Sequence, residues 1–381
     1  MIIGYDASRA FVAQSSGTEN YSFQLLKALL ELRSKHEFHL YLRPPYDEKR
    51  LVEIRRFPQV KLISLNYRYF WTQLGLAWQT WKKPPAVLFI PAHVVPLIKK
   101  FNLPTVVTVH DLALEFLPYY GSWRQRLYLG WTMERWRARL ARHLIAVSQF
   151  TKQEIIKKLG VRPEKITVIY EGVESGWDRP LAPSDYKRIR RKFNLPQSYL
   201  LFVSTLQPRK NIVRLIRAFK KVTKENPSLS LVIVGKKGWG YEEIFNTVDE
   251  LGLQTKVRFL GYVERNDLRV LYAGAKAFCL PSLHEGFGLP VLEAMSLGTP
   301  VIISNCSSLP EIGGRAAIYF DPYRVEDIAA AIHRLCRASD KEYQNWRFLV
   351  KQRARQFSWH KAAQETLKVL EKVAGENSAN Y

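Results

Sequence analysis

A chain of 381 residues with 47% apolar side chains is too long for one ordinary core and fits two globular domains. Lys and Arg number 58 against 34 Asp and Glu, a formal charge of +24 that implies attraction to phospholipid surfaces, nucleic acid or phosphorylated substrates without choosing among them. Cys279, Cys306 and Cys336 are an odd set without metal-ligand spacing, so neither a disulfide framework nor a zinc site is implied and a reducing compartment is expected. Met1–Asp6 lacks a basic-then-apolar leader pattern, and no apolar run approaches the roughly 20 residues of a membrane span. The expectation is a cytoplasmic protein or one peripheral on the inner face of the cell membrane.

In chain order, Ile2–Asp6 reads as a strand, followed by S-S-G-T-E-N-Y and a helical pattern, an opening strand-turn-helix unit with Gly17 at its turn. Strand patterns follow at Phe38–Leu42, Val60–Ser64, Val87–Ile90 and Thr105–Val109, alternating with helical stretches, which points to a doubly wound parallel sheet. Trp71 and Trp78 stand seven apart in an aromatic-rich helix and are assigned to packing. His110 and Asp111 fall just past the carboxyl end of a buried strand, the edge where open α/β sheets bind ligands.

Trp123–Ile145 reads as a helix whose apolar stripe holds Leu129, Met133, Trp136, Leu140 and Leu144. Arg124, Arg135, Arg139 and Arg142 gather with Tyr128 and Trp131 on the opposite face, a mixture suited to an anionic membrane surface as well as to plain solvation. L-I-A-V-S is the next strand, with Ser148 as the N-cap of a helix to Leu159, and Ile166–Ile169 leads into Y-E-G-V-E. The linker with Trp177, Pro180 and Pro183 sets the domain boundary, giving an N-terminal domain of residues 1–178 and a second domain of 179–358. The basic run Lys187–Lys192 is taken as a solvated face.

The second half repeats the alternation: Y-L-L-F-V-S, the loop T-L-Q-P-R-K-N, and a helix from Ile212, then strands at Leu229–Val234 and Val257–Leu260. Arg209 and Lys210 in the loop suit a diphosphate, the first as a planar fork and the second as a point charge. Most informative is F-C-L-P-S-L-H-E-G-F-G-L-P-V-L-E-A-M-S-L-G-T-P-V-I-I, Phe278 to Ile303: strand, glycine loop, helix, strand. Gly286 and Gly288 lead to a helix start with Pro290 in its first turn, where unpaired backbone N–H groups and the helix dipole attract an anion. Glu285 and Glu293 flank that position as acceptors for sugar hydroxyls, the layout of a nucleotide sugar.

This stretch resembles the paired-glutamate signature of retaining GT-B glycosyltransferases, glycosyltransferase family 4, and the whole chain looks closest to bacterial mannosyltransferases of surface polysaccharide and lipopolysaccharide synthesis. The resemblance implies an α/β fold of two Rossmann-like, doubly wound parallel-sheet domains facing a cleft, with a C-terminal helix, residues 359–374, packed back on the first domain. It implies that Glu285 lies by the donor sugar, that Glu293 binds the ribose, and that Tyr262 and Val263 hold the base. Gly286, Phe287, Gly288 and Leu289 form the phosphate loop, with Gly17 facing the donor or acceptor and His110 hydrogen-bonding the transferred sugar. Where the family has an N-G-V turn this chain has Glu171 before Gly172 and Val173.

The expectation is retaining, metal-independent transfer of a hexose from a nucleotide diphosphate sugar, GDP-mannose first, to a glycan or lipid-linked glycan acceptor. Lys210, Arg209 and the helix start would stabilise the leaving diphosphate in place of a cation. No cofactor and no nucleic acid are expected; an anionic membrane surface is a candidate partner. A UDP-sugar glucosyltransferase, a GT-B sugar-nucleotide epimerase, a basic nucleic-acid-binding protein and an inactive sugar-binding scaffold are the competing readings. Nucleic-acid binding leaves the two glutamates and the glycine loop unexplained, and an inactive scaffold would need a broken site, whereas Lys210, Glu285 and Glu293 are all present.

Overall fold

The computed structural model describes residues 1–12, 17–92, 95–112 and 138–378. They form two compact units. One holds the described residues up to Gly172 and those from Ser358 onward; the other is Val173–Phe357, so the division falls a few residues before the proline-bearing linker.

The first unit carries seven parallel strands among its described residues: β1 (Ile2–Asp6), β2 (Glu37–Leu42), β3 (Val60–Ser64), β4 (Val87–Ile90), β5 (Thr105–Val109), β6 (His143–Ala146) and β7 (Ile166–Val168). Their order is β3-β2-β1-β4-β5-β6-β7, so chain direction across the sheet reverses between β1 and β4. All side chains of β4, β5 and β6 are buried, the signature of a parallel sheet covered on both faces. Ser148 caps the helix Gln149–Leu159 by accepting from the Thr151 N–H at 3.0 Å, and Gly160 ends it at φ 67°.

The helix Trp359–Ser378 packs on the helix Gly17–Glu31 and on β4 and β5. Gly172 makes that return possible. A Cβ on it would lie 2.1 Å from the Trp359 backbone nitrogen, so only glycine lets the two segments cross.

In the second unit β8 (Ser198–Val203), β9 (Leu229–Val234), β10 (Val257–Gly261), β11 (Ala277–Leu280), β12 (Val301–Ser304) and β13 (Ile318–Phe320) form a parallel sheet in the order β10-β9-β8-β11-β12-β13. Its switch point lies between β8 and β11, paired through Ala277 with Leu200 and Phe278 with Leu201. The short β13 was not anticipated: three residues are too few for a readable period.

Three expectations change. Residues 113–137 lie outside the described part, so the apolar and arginine faces placed on Trp123–Ile145 are described only at their end. That helix does not reach Ile145, because His143–Ala146 is β6 with Leu144 fully buried in the sheet. Trp71 and Trp78 are not both packing residues: Trp71 is 3% exposed and Trp78 63%. Seven residues spell two turns of a regular helix, but Trp71–Leu76 is wound as a π-helix before the α-helix Ala77–Lys82, which shifts the phase between them. Arg188 and Lys192 of the basic run are not merely solvated, since both bind Asp267, at 2.9 and 2.6 Å. No helix among the described residues is long and apolar enough to cross a membrane.

Candidate active site

In an open α/β sheet a ligand crevice forms beyond the carboxyl ends of the strands where their order reverses. In the second unit those ends are β8 and β11, and the loops leaving them carry Arg209, Lys210 and Glu285. After β8 the chain makes a short 3-10 turn, Pro208–Lys210, and enters the helix Ile212–Thr223 through Asn211 at φ 60°. The Asn211 side-chain amide donates to the carbonyls of Pro281, at 3.0 Å, and Pro322, at 2.7 Å, so one buried residue ties the loops after β8, β11 and β13 together. The Leu283 N–H donates to the Arg209 carbonyl at 2.9 Å and Arg209 Nη1 to the His284 carbonyl at 3.1 Å, closing the β8 loop on the β11 loop.

These bonds bring two residues 75 apart in sequence into contact: Lys210 Nζ lies 2.5 Å from Glu285 Oε1. The same oxygen accepts from Ser282 Oγ at 2.6 Å. Both charged groups are buried. Burial by itself would raise the Glu285 pKa, but the charges of Lys210 and Arg209 and the bonds from Lys210 and Ser282 outweigh it and hold the carboxyl below its ordinary value. Glu285 is therefore an ionised acceptor at neutral pH.

The backbone around it is equally fixed. The Glu285 N–H donates to Ser307 Oγ at 3.2 Å, and Ser308 Oγ donates to the carbonyls of Glu285 and Phe287, at 3.0 and 2.7 Å. The loop through Gly286 and Phe287 reaches Gly288, whose φ of 110° strains any other residue and whose added Cβ would sit 2.9 Å from Leu309 Cδ2. The helix Leu289–Ser296 starts there, with Pro290 in its first turn as the sequence suggests. Pro290 has no N–H and those of Val291 and Leu292 donate to the Gly288 carbonyl, at 2.9 and 3.3 Å, so the N–H groups of Gly288 and Leu289 are the ones this helix start can offer an anion.

Glu293 sits in that helix, buried, with Oε1 accepting from Arg265 at 3.1 Å and Oε2 from the Tyr272 hydroxyl at 3.1 Å. Arg265 is itself held by Glu174, at 2.9 Å, and stacks over Trp177 with 4.3 Å to the ring centroid. The carboxylate is thus oriented by two donors, each oxygen keeping further acceptor capacity. Tyr262, on the loop after β10, is partly exposed with Lys236 Nζ 4.9 Å from its ring centroid, whereas Val263 is buried. Gly235 lets the β9 loop pass here: a Cβ on it would meet the Ser204 carbonyl oxygen at 1.8 Å.

The unit thus gathers Arg209, Lys210, Glu285 and the Gly288 helix start at one sheet edge. Sequence reasoning missed Asn211, Ser282, Arg265 and Tyr272, which orient these groups. Only Asn211 had a signal, as the residue closing P-R-K-N.

His110 and Gly17 belong to the first unit. His110 follows β5, its Nε2 bonded to the Pro91 carbonyl at 2.7 Å, its Nδ1 3.4 Å from Glu171 Oε1, and the Tyr21 ring edge-on at 4.5 Å. Gly17 opens the helix Gly17–Glu31, and a Cβ there would meet no atom of the described residues within 4 Å. Among the described residues no three His, Cys, Asp or Glu side chains gather as metal ligands.

Residues 185–352 match the family described as glycosyl transferases group 1, and residues 15–177 match glycosyltransferase family 4. The chain is 34% identical over 268 residues to O-antigen chain mannosyltransferase B of Escherichia coli, covering 69% of this chain and 68% of that one. It is 32% identical over 248 residues to O-antigen chain mannosyltransferase RfbU of Salmonella typhimurium, covering 65% and 64%. In fold it resembles Anabaena Alr3699/HepE in complex with UDP and glucose, with a TM-score of 0.75 at 22% identity over 97% of this chain and 99% of that one.

Proposed function

This chain belongs to the GT-B glycosyltransferases of group 1 and family 4, and from that premise we propose that it transfers mannose from GDP-mannose to a glycan or lipid-linked glycan, with retention at the anomeric carbon. The O-antigen mannosyltransferases to which it is similar support the sugar and the acceptor class. The observation that carries the chemistry is the buried Lys210–Glu285 pair at the β8/β11 switch point.

As the bond from the anomeric carbon to the diphosphate breaks, negative charge grows on the phosphate oxygens. Lys210, Arg209 and the N–H groups at Gly288 and Leu289 offset it from fixed positions in a shielded pocket, which is where such charges act most strongly. On this reading no metal ion is needed for that step. Glu285, ionised and held by Ser282, accepts hydrogen bonds from the sugar hydroxyls and fixes the ring against the leaving group. Glu293 accepts from the ribose hydroxyls, and Tyr262 and the Val263 backbone take the base.

The test is a thermal-shift series with GDP, UDP, GDP-mannose and UDP-glucose, run with and without a chelator. A ligand at about 100 times its Kd stabilises the native state by about 2.7 kcal/mol, an easily seen shift. GDP and GDP-mannose should give it, with the chelator making no difference. Stabilisation by the uridine compounds alone would move the reading to a UDP-sugar donor, and no stabilisation by any of the four would remove it.

A further inference from the structure

We propose that the surface formed by residues 69–83 and 97–101 of the first unit is a docking face for an anionic phospholipid bilayer. The exposed side chains there are large and apolar: Phe70 is 74% exposed, Trp78 63%, Ile98 74% and Phe101 82%, with Leu74 and Trp81 also exposed among them. Exposed apolar residues are ordinary singly, but a contiguous group of this size marks a surface that meets another apolar phase.

The group is built rather than frayed. The loop that carries Ile98 and Phe101 is fastened along the helix that carries Trp78 and Trp81. The Leu97 N–H donates to Gln73 Oε1 at 2.7 Å, the Lys100 N–H to Thr80 Oγ1 at 3.0 Å and Trp81 Nε1 to the Ile98 carbonyl at 3.3 Å. The Trp81 and Phe101 rings meet edge to face at 5.6 Å. Below the group Trp71 is buried and donates to the Leu65 carbonyl at 3.1 Å, anchoring the helix while its outer residues project.

Charge selects the occupant. From Ile54 to His110 the sequence holds no Asp or Glu, while Arg68, Lys82, Lys83 and Lys100 stand exposed at the edges of the apolar group. Tryptophan, phenylalanine and lysine without acidic residues is the composition of an interfacial segment that sinks its rings to the headgroup level and pairs its cations with lipid phosphates. A second copy of this chain fits poorly, because a symmetric dimer through this face would bring two sets of these cations together with no Asp or Glu from Ile54 to His110 to pair them.

The inference goes beyond the transfer reading and stands or falls without it, since vesicle binding is measured without turnover. Full-length protein is sedimented with phosphatidylcholine vesicles, with and without phosphatidylglycerol, at low and high salt. Binding should require the anionic lipid and weaken with salt. Trp78→Ser with Phe101→Ser, and separately Lys82→Glu with Lys83→Glu, should each lower partitioning about tenfold at unchanged melting temperature. Tryptophan emission should shift to the blue on vesicles, and the shift should shrink in the Trp78→Ser variant. Unchanged vesicle binding in both double variants, absence of binding by the unaltered protein, or a dimer that both double variants convert to monomer would overturn the proposal.

Discussion

Glu171 and His110 lie side by side beyond the carboxyl ends of β7 and β5, Oε1 3.4 Å from Nδ1, with the carboxylate buried. Burial disfavours the imidazolium, yet Glu171 by hydrogen bond and charge, the Pro91 carbonyl and Asp111 together raise the His110 pKa above its ordinary 6.5. The other titratable ring facing it, Tyr21, is held neutral because burial, opposed by its bond to Thr108, raises its own pKa. A raised folded-state value stabilises the fold fully below pH 6.5, and that contribution is lost as pH climbs through the folded value. Glu171→Gln should therefore move the His110 titration, followed by NMR, to lower pH and flatten this window. Identical titrations in the two proteins would show that the carboxylate does not govern the histidine.

Lys210→Ala leaves Glu285 buried without its cation. Loss of one partner of a buried pair costs about 3–5 kcal/mol, and turnover should fall by roughly two to three orders of magnitude. The Glu285 carboxyl, now below its ordinary 4.5, gives stability that is present above pH 4.5 and lost as pH falls through the folded value. In the variant the largest influence holding that value down is gone, so this acid-side loss should shrink and the melting temperature should fall less below pH 4.5 than in the unaltered protein. Melting curves from pH 3 to 7 read this directly, and superimposable curves would deny the coupling.

Glu293→Ala should weaken GDP binding by about 1.5–3 kcal/mol, the range of a hydrogen bond to a charged group. Arg265 then keeps Glu174 as its carboxylate partner among the described residues. Glu285→Ala should spare GDP affinity and impair use of the donor sugar. Calorimetry with GDP on both variants separates the two roles, and unaltered affinity in Glu293→Ala would refute the ribose assignment.

Gly172→Ala places a methyl group 2.1 Å from a backbone nitrogen of the returning helix. Backbone cannot yield as a flexible side chain does, so a loss of about 3 kcal/mol is expected in denaturant unfolding. A variant as stable as the parent would mean that the crossing is looser than these distances.

Much of this architecture is legible in the sequence because it is local. β3, β4, β5 and β9 begin and end where their apolar runs do, and Ser148 and Pro290 mark helix starts by position alone. The glycine loop and its two glutamates are contiguous and equally plain. What escapes is set by contacts between distant parts of the chain: Glu171 meets His110 because parallel strands bring the loops after β7 and β5 to one edge, and Arg265 and Tyr272 hold Glu293 because the helix Arg265–Gly274 packs against the helix Leu289–Ser296. The exposure of Trp78 escaped for another reason, since a seven-residue spacing assumes regular winding that Trp71–Leu76 does not have.

Transfer itself is the direct measurement. Purified protein is incubated with GDP-mannose and membranes that carry a lipid-linked glycan acceptor, and the anomeric configuration of the product is read by NMR. An α-mannoside, matching the α-linked donor, formed by the unaltered protein and roughly 100-fold or more slower with Lys210→Ala, is the predicted result. A β-mannoside, or transfer by Lys210→Ala at the unaltered rate, would contradict it.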